Sequence, residues 1–214
     1  MDCSRRLYHL VQCDRLDPWL HGYYGSDYAP RSKHGRKELW YGLDHRFDPT
    51  SQNIRLDRDQ CNQLCLMYLR HIHIYYPFIT LHGLDKMKQA WLVTTTPTTS
   101  SDIIFLLVIA LGAIVGRSES LPAPKVEPIE RWSEAQIREA IKENVEAIPG
   151  LKYFTYALAV YNRRLIDIPP LHDIQVHILL ALYADQIMLL STKHHRINEA
   201  CQRCISLLEG WTPL

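Results

Sequence analysis

Between Ser101 and Arg117 the chain reads Asp-Ile-Ile-Phe-Leu-Leu-Val-Ile-Ala-Leu-Gly-Ala-Ile-Val-Gly, with no charge after Asp102 and no polar face. A segment apolar on every side has nothing to offer water, so neighbouring elements or lipid must cover it. Length separates the two: a bilayer span needs about 20 apolar residues, whereas runs of about 10 to 14 belong to core helices. Ile and Val also favour strands, but the run is longer than a usual strand. Ser101 or Asp102 stands ready to accept the first free backbone N–H groups of a helix. The segment is therefore expected to be the central helix, over residues 103–115, of an all-α domain, with Leu107 among its buried side chains.

The residues around it repeat a helical period. Asp57 and Gln60 form a capping box, with Leu56 and Cys61 as the hydrophobic staple, and Cys61, Leu64, Cys65, Tyr68 and Ile72 draw one buried stripe that Pro77 ends. Phe78, Ile79, Leu81 and Leu84 continue into a second short apolar segment with Trp91 near its end. The Thr-rich run 94–101 opposes helix and supplies hydroxyls for a cap. After a Pro-rich loop over 118–131, Ser133 and Gln136 repeat the capping box, with Trp132 and Ile137 as staple. Ile137, Ala140, Ile141, Val145 and Ile148 then share a face, and Glu134–Arg138 and Lys142–Glu146 pair on the solvent side. Pro149-Gly150 turns the chain into a helix with Leu151, Phe154, Ala157, Leu158 and Tyr161 inside. Pro169-Pro170 separates it from a second greasy helix, 171–190, which buries Leu179. Ser191 or Thr192 is expected to cap a last helix whose inner stripe is Ile197, Ala200, Cys201, Cys204, Ile205 and Leu208.

The expected fold is all-α: roughly seven helices packed as antiparallel pairs around the two strongly apolar helices, 103–115 and 171–190. That domain occupies 56–214. Residues 1–55 form an irregular aromatic and basic segment, broken by Gly and Pro after a short Leu7-Leu10-Val11 helix, with a solvated basic cluster at Arg31, Lys33, His34, Arg36 and Lys37.

Composition narrows function by exclusion. Lys and Arg number 24 against 23 Asp and Glu, a net charge of +1, so the whole chain carries no electrostatic footprint for nucleic acid. The charged N-terminus has no apolar signal-peptide core, so the six Cys are expected to be reduced inside the cell rather than disulfide-bonded. Cys201-x-x-Cys204 and Cys61-x-x-x-Cys65 have spacings near those of zinc ligands, yet all four fall on expected inner stripes, where a reduced Cys packs as a small apolar residue. His195 with Glu199 shares a helix face but lacks further ligands at metal spacing, and His71 and His73 diverge. His177 is expected to be a hydrogen-bonded core histidine. With no G-x-S-x-G, H-E-x-x-H, Walker or G-x-G-x-x-G pattern, no catalytic, cofactor-binding or metal residues are assigned, and the chain is not expected to be an enzyme.

Three segments in order resemble the regulatory middle region of fungal binuclear zinc-cluster transcription factors. Tyr68 to Ile79, with Tyr76-Pro77-Phe78, resembles its entry helix and following Tyr-Pro-Phe turn, and Phe105 to Ala113 its leucine-rich Ala-Leu-Gly-Ala helix. Tyr153-Phe154 with Ala157, followed by Leu171 to Tyr183 containing Gln175, Leu179 and Leu180, is similar to its Tyr-Phe-x-x-Ala and Leu-x-x-x-Gln-x-x-x-Leu-Leu-x-x-Tyr helices. The resemblance covers about residues 60–208. It implies a nuclear, transcription-regulator-like domain that works through partners of the transcription machinery or a small-molecule effector. Cys3 and Cys13 cannot supply the family's six-cysteine zinc cluster, so zinc ligands and DNA-contacting residues are not carried over, and the chain is expected to be a truncated gene model, a decayed copy or a shortened regulator that does not itself read DNA. The competing expectation is a membrane-associated helical protein with the two greasy helices inserted.

Overall fold

A computed structural model describes residues 54–94, 97, 99–116, 133–163 and 167–210. Among them are seven α-helices and no strand: α1 (Arg58–Tyr68), α2 (Leu81–Thr94), α3 (Ser100–Val115), α4 (Glu134–Ala147), α5 (Leu151–Asn162), α6 (Pro170–Gln186) and α7 (Leu190–Glu209). The class is all-α, as the periodicity predicts. The short Leu7 helix, the basic cluster at 31–37, the Pro-rich loop and the staple residue Trp132 lie outside the described residues.

α3 is the hub. Every side chain from Asp102 to Leu111 is buried, Leu107 completely, and α1, α2, α5 and α6 all pack on it. A helix can be covered this closely only where the covering backbone can approach, and α3 is small where it must be. An added Cβ at Gly112 would stand 2.1 Å from the backbone oxygen of Leu64 on α1. Met67, one turn further on, flanks Gly116, so α1 and α3 advance together and run parallel at this joint. On another side the α4–α5 turn presses on the same helix. Gly150 adopts φ 77 and a Cβ there would lie 2.3 Å from the carbonyl oxygen of Ala110, so left-handed backbone and lack of space both require glycine.

The helix starts follow the expected chemistry with one shift. Asp57 and Gln60, and Ser133 and Gln136, form capping boxes as read from sequence. For α3 the cap is Thr99, not Ser101 or Asp102. Asp102 is its reciprocal partner, accepting from the Thr99 backbone N–H at 2.8 Å and from the Thr99 hydroxyl at 2.9 Å. The stripe on α1 is buried at Cys61, Cys65 and Tyr68, and the chain then widens into a π-helical turn, Leu69–His73, that carries Ile72 inward ahead of Pro77. In the second apolar segment Leu84 and Trp91 are buried, whereas Leu81 is exposed. On α4 the ion pair made by Lys142 is with Glu139 at 4.0 Å, one turn back, instead of the forward pair with Glu146.

The second greasy helix ends sooner than its composition implies, at Gln186 and not at 190. The Leu189 N–H bonds to the Ala184 carbonyl at 2.8 Å and the Met188 N–H to the Asp185 carbonyl at 3.1 Å, a Schellman termination. Its left-handed position, usually glycine, is Met188 at φ 61. Leu189, with no side-chain cap, then starts α7, in place of Ser191 or Thr192. α6 remains deeply buried, Leu179 completely, with both greasy helices covered by the others. Asp173 meets Arg203 and Asp185 meets Lys193, so α6 and α7 are antiparallel. Phe154 stacks on Tyr183 at 4.4 Å while Tyr161 meets Asp173 and His177, so α5 and α6 are antiparallel too.

These joints give two opposite expectations. On an exposed helix Gly→Ala adds about 1 kcal/mol of stability, but Gly112→Ala drives a methyl into a neighbouring backbone that no rotamer change can relieve, and should cost about 2 kcal/mol. Met188→Gly removes a left-handed penalty of about 1–2 kcal/mol, partly offset by a more flexible unfolded chain, and should raise stability by about 0.5–1 kcal/mol. Urea midpoints of the two variants should move in opposite directions.

Candidate functional site

Among the described residues, two places gather polar or accessible groups: a surface cleft beside the Gly112 joint, and a polar cluster between α5, α6 and α7.

The cleft has a volume of about 600 Å3, within the range of sites for small organic ligands. Leu64 and Met67 of α1, Ala113 and Gly116 of α3, and Ile148 and Tyr153 of the α4–α5 region give it apolar walls. Gln60, Gln63, Glu146 and Lys152 give it a polar rim. The Lys152 ammonium sits 4.8 Å from the Tyr153 ring centroid, a cation–π contact at the rim. The glycines that admit α1 and the α4–α5 turn to α3 also shape the cleft floor. Its mixture of apolar walls with amide and charged groups at the rim suits a ligand or peptide side chain with both characters.

The polar cluster is built on α6. The Tyr161 hydroxyl donates to Asp173 Oδ1 at 2.5 Å, so its oxygen is left to accept the His177 Nε2–H at 2.7 Å. That fixes the neutral tautomer with a bare Nδ1, which is buried and has no hydrogen-bond partner. A second proton would have to sit on that nitrogen facing no acceptor. Burial, followed by the Arg203 and Arg196 charges, accordingly pushes His177 down to about 4, although Asp173 and Glu199 pull the other way. Burial and the bond to Asp173 push the Tyr161 phenol upward. Arg203 closes the cluster from α7, donating from Nε to Asp173 and from a terminal nitrogen to Glu199. Burial disfavours its charge, but the hydrogen bonds to Glu199 and Asp173 outweigh that and raise its pKa. The bond from Arg203 in turn lowers that of Glu199. His177 is 1% exposed, and the bonds from Arg203 dock α7 on α6.

Ser100 Oγ lies 2.7 Å from His172 Nδ1, joining the starts of α3 and α6. Of the nearby acids, Asp102 is engaged by Thr99, and Asp173 by Tyr161 and Arg203. Cys61 and Cys65 are buried, with burial pushing the Cys65 thiol up to about 12, so both are unreactive packing residues. Cys201 and Cys204 contradict the inner-stripe expectation, since both are exposed. So are Ile197, Ile205 and Leu208, and Ala200 is the one member of that stripe to be buried. The cause is α6, whose Asp173 and Asp185 draw Arg203 and Lys193, and with them the charged face of α7, inward. His195 is exposed while Glu199 is turned to Arg203, and His71 is exposed while His73 is half-buried beside Tyr68. Among the described residues no three His, Cys, Asp or Glu side chains are grouped to hold a metal ion, and no helix is long and apolar enough to cross a membrane.

The His177 geometry fixes a pH dependence. A folded pKa near 4 against about 6.5 unfolded means that the unfolded chain binds more protons between those values. Its contribution is complete above pH 6.5 and is lost as pH falls towards 4. Stability should drop by about 2 kcal/mol between pH 6.5 and 5. His177→Gln, which keeps a donor for Tyr161 and cannot titrate, should abolish most of that drop in denaturant titrations at the two pH values.

No protein-family model, no curated protein and no solved structure matches this chain.

Proposed function

We propose that the chain is a non-catalytic regulatory domain of the kind found in fungal zinc-cluster transcription factors, acting in the nucleus through a small-molecule effector or a protein partner seated in the cleft beside Gly112. The observation that carries this reading is where the motif residues lie. The Gln175 amide donates to the Phe78 carbonyl at 2.8 Å, joining the segment after Tyr76-Pro77 to the Leu-x-x-x-Gln helix, although 97 residues separate them. Phe154 of the Tyr-Phe pair stacks on Tyr183, which ends the Leu-Leu-x-x-Tyr pattern, and the Tyr183 hydroxyl donates to the Pro149 carbonyl at 2.7 Å. Gly112 of Ala-Leu-Gly-Ala admits α1 to α3. Residues that are individually commonplace thus form the joints between helices, and the cleft opens against one of those joints.

A reporter assay tests the reading. Fused to an unrelated DNA-binding domain in a fungal cell, the full chain should change reporter output several-fold. Gln63→Trp, an exposed change at the cleft rim, should abolish that effect while circular dichroism stays unaltered. The chain alone should show no sequence-specific, nanomolar DNA binding at physiological salt. Output equal to that of the DNA-binding domain by itself, or tight specific DNA binding by the free chain, would defeat the proposal.

A further inference from the structure

The outward face of α7 has a spacing that packing among the described residues does not use. Leu190, His194, Ile197, Cys201, Cys204 and Leu208 follow one another at steps of four, three, four, three and four residues. That is the seam of a two-stranded coiled coil. All six are exposed, Ile197 39% and Leu208 59%, over a helix of 20 residues. The inward face is used separately: Arg196, Glu199, Ala200, Arg203 and Leu207 are buried or half-buried there.

We infer that this seam pairs α7 with α7 of a second copy of the chain, antiparallel about a two-fold axis between Ile197 and Cys201. The spacing is its own mirror under that operation, as an isologous interface requires. Leu190 falls opposite the partner's Leu208, His194 opposite the partner's Cys204, and Ile197 opposite the partner's Cys201. The ends complement as well. The opening turns, with His194 and His195, lie beside the partner helix's C-terminus and the negative end of its macrodipole. Ile205, 53% exposed, widens the apolar strip on one flank. A 20-residue helix is about 30 Å long. One face of it buries less than the roughly 800 Å2 per partner of a standard interface, which places the pairing among small interfaces.

Sedimentation of the full chain in reducing buffer from about 1 to 100 µM should show a reversible monomer–dimer equilibrium. Ile197→Glu with Leu208→Glu should remain monomeric throughout, with helicity unchanged because both side chains are exposed. Under mild oxidation Ile197→Cys should form an intermolecular disulfide to the partner's Cys201, mapped by mass spectrometry, whereas Gln202→Cys, exposed but off the seam, should not link through position 202. A wild-type monomer at 100 µM, a dimer indifferent to the two glutamates, or links joining position 197 to its own copy would each overturn the inference. So would an intrachain link from the seam to Cys3 or Cys13, which would assign this face to the chain's own N-terminal residues.

Discussion

The contact on which the structure depends is backbone against backbone at Gly112. α3 is apolar around its whole circumference, so its stability comes from being covered on every side, and coverage is limited by how closely other chains can come. At Gly112 the missing Cβ lets the carbonyl of Leu64 lie where a methyl would stand, and at Ala110 the turn through Gly150 does the same from another side. Each close approach brings further side chains into van der Waals range, and the gain grows with the number of atom pairs brought together. Because the two approaches converge on one turn of α3, the cleft beside them has a floor of backbone and small residues, and its shape is tied to the core's.

Polar groups do a different job here from the apolar ones. Asp57–Gln60, Thr99–Asp102 and Ser133–Gln136 close three helix starts by local chemistry, whereas Gln175–Phe78, Tyr183–Pro149 and Ser100–His172 join elements far apart in sequence. An amide or hydroxyl that finds one carbonyl satisfies a directional demand that hydrophobic contact lacks, so these bonds fix which packing of greasy helices is adopted. The Tyr161–Asp173–His177 cluster shows the other side of that bargain: one imidazole nitrogen goes unsatisfied, while Asp173 accepts from both the phenol and Arg203.

Helix class, the central helix and the capping boxes at Asp57 and Ser133 were legible in the sequence because each rests on residues within one turn of each other. Thr99 was obscured by its neighbours: in a run of hydroxyl residues several can cap, and the choice falls to the one whose third successor, Asp102, can reach back. The end of α6 left no mark, since its left-handed residue is Met188 and the signal for that conformation is glycine. The cleft left no mark in the sequence, because its lining comes from three separate segments whose meeting is set by Gly112 and Gly150.

The face that α7 turns inward is the opposite of the one its hydropathy predicts, and the reason bears on what the helix is for. Two stripes with helical spacing coexist on it, one apolar and one charged, and hydropathy favours burying the first. Turning the apolar stripe inward would gain about 1.5–3 kcal/mol per large side chain. It would also leave Asp173 and Asp185, set into the partly exposed flank of an otherwise greasy α6, without their cations. With Arg203 bridging Asp173 and Glu199, and Lys193 on Asp185, the charged stripe wins the inner place. Within one chain the two demands conflict, because a single helix face cannot serve both. A second copy laid antiparallel along the outer stripe removes the conflict, since each face then has the partner its chemistry requires.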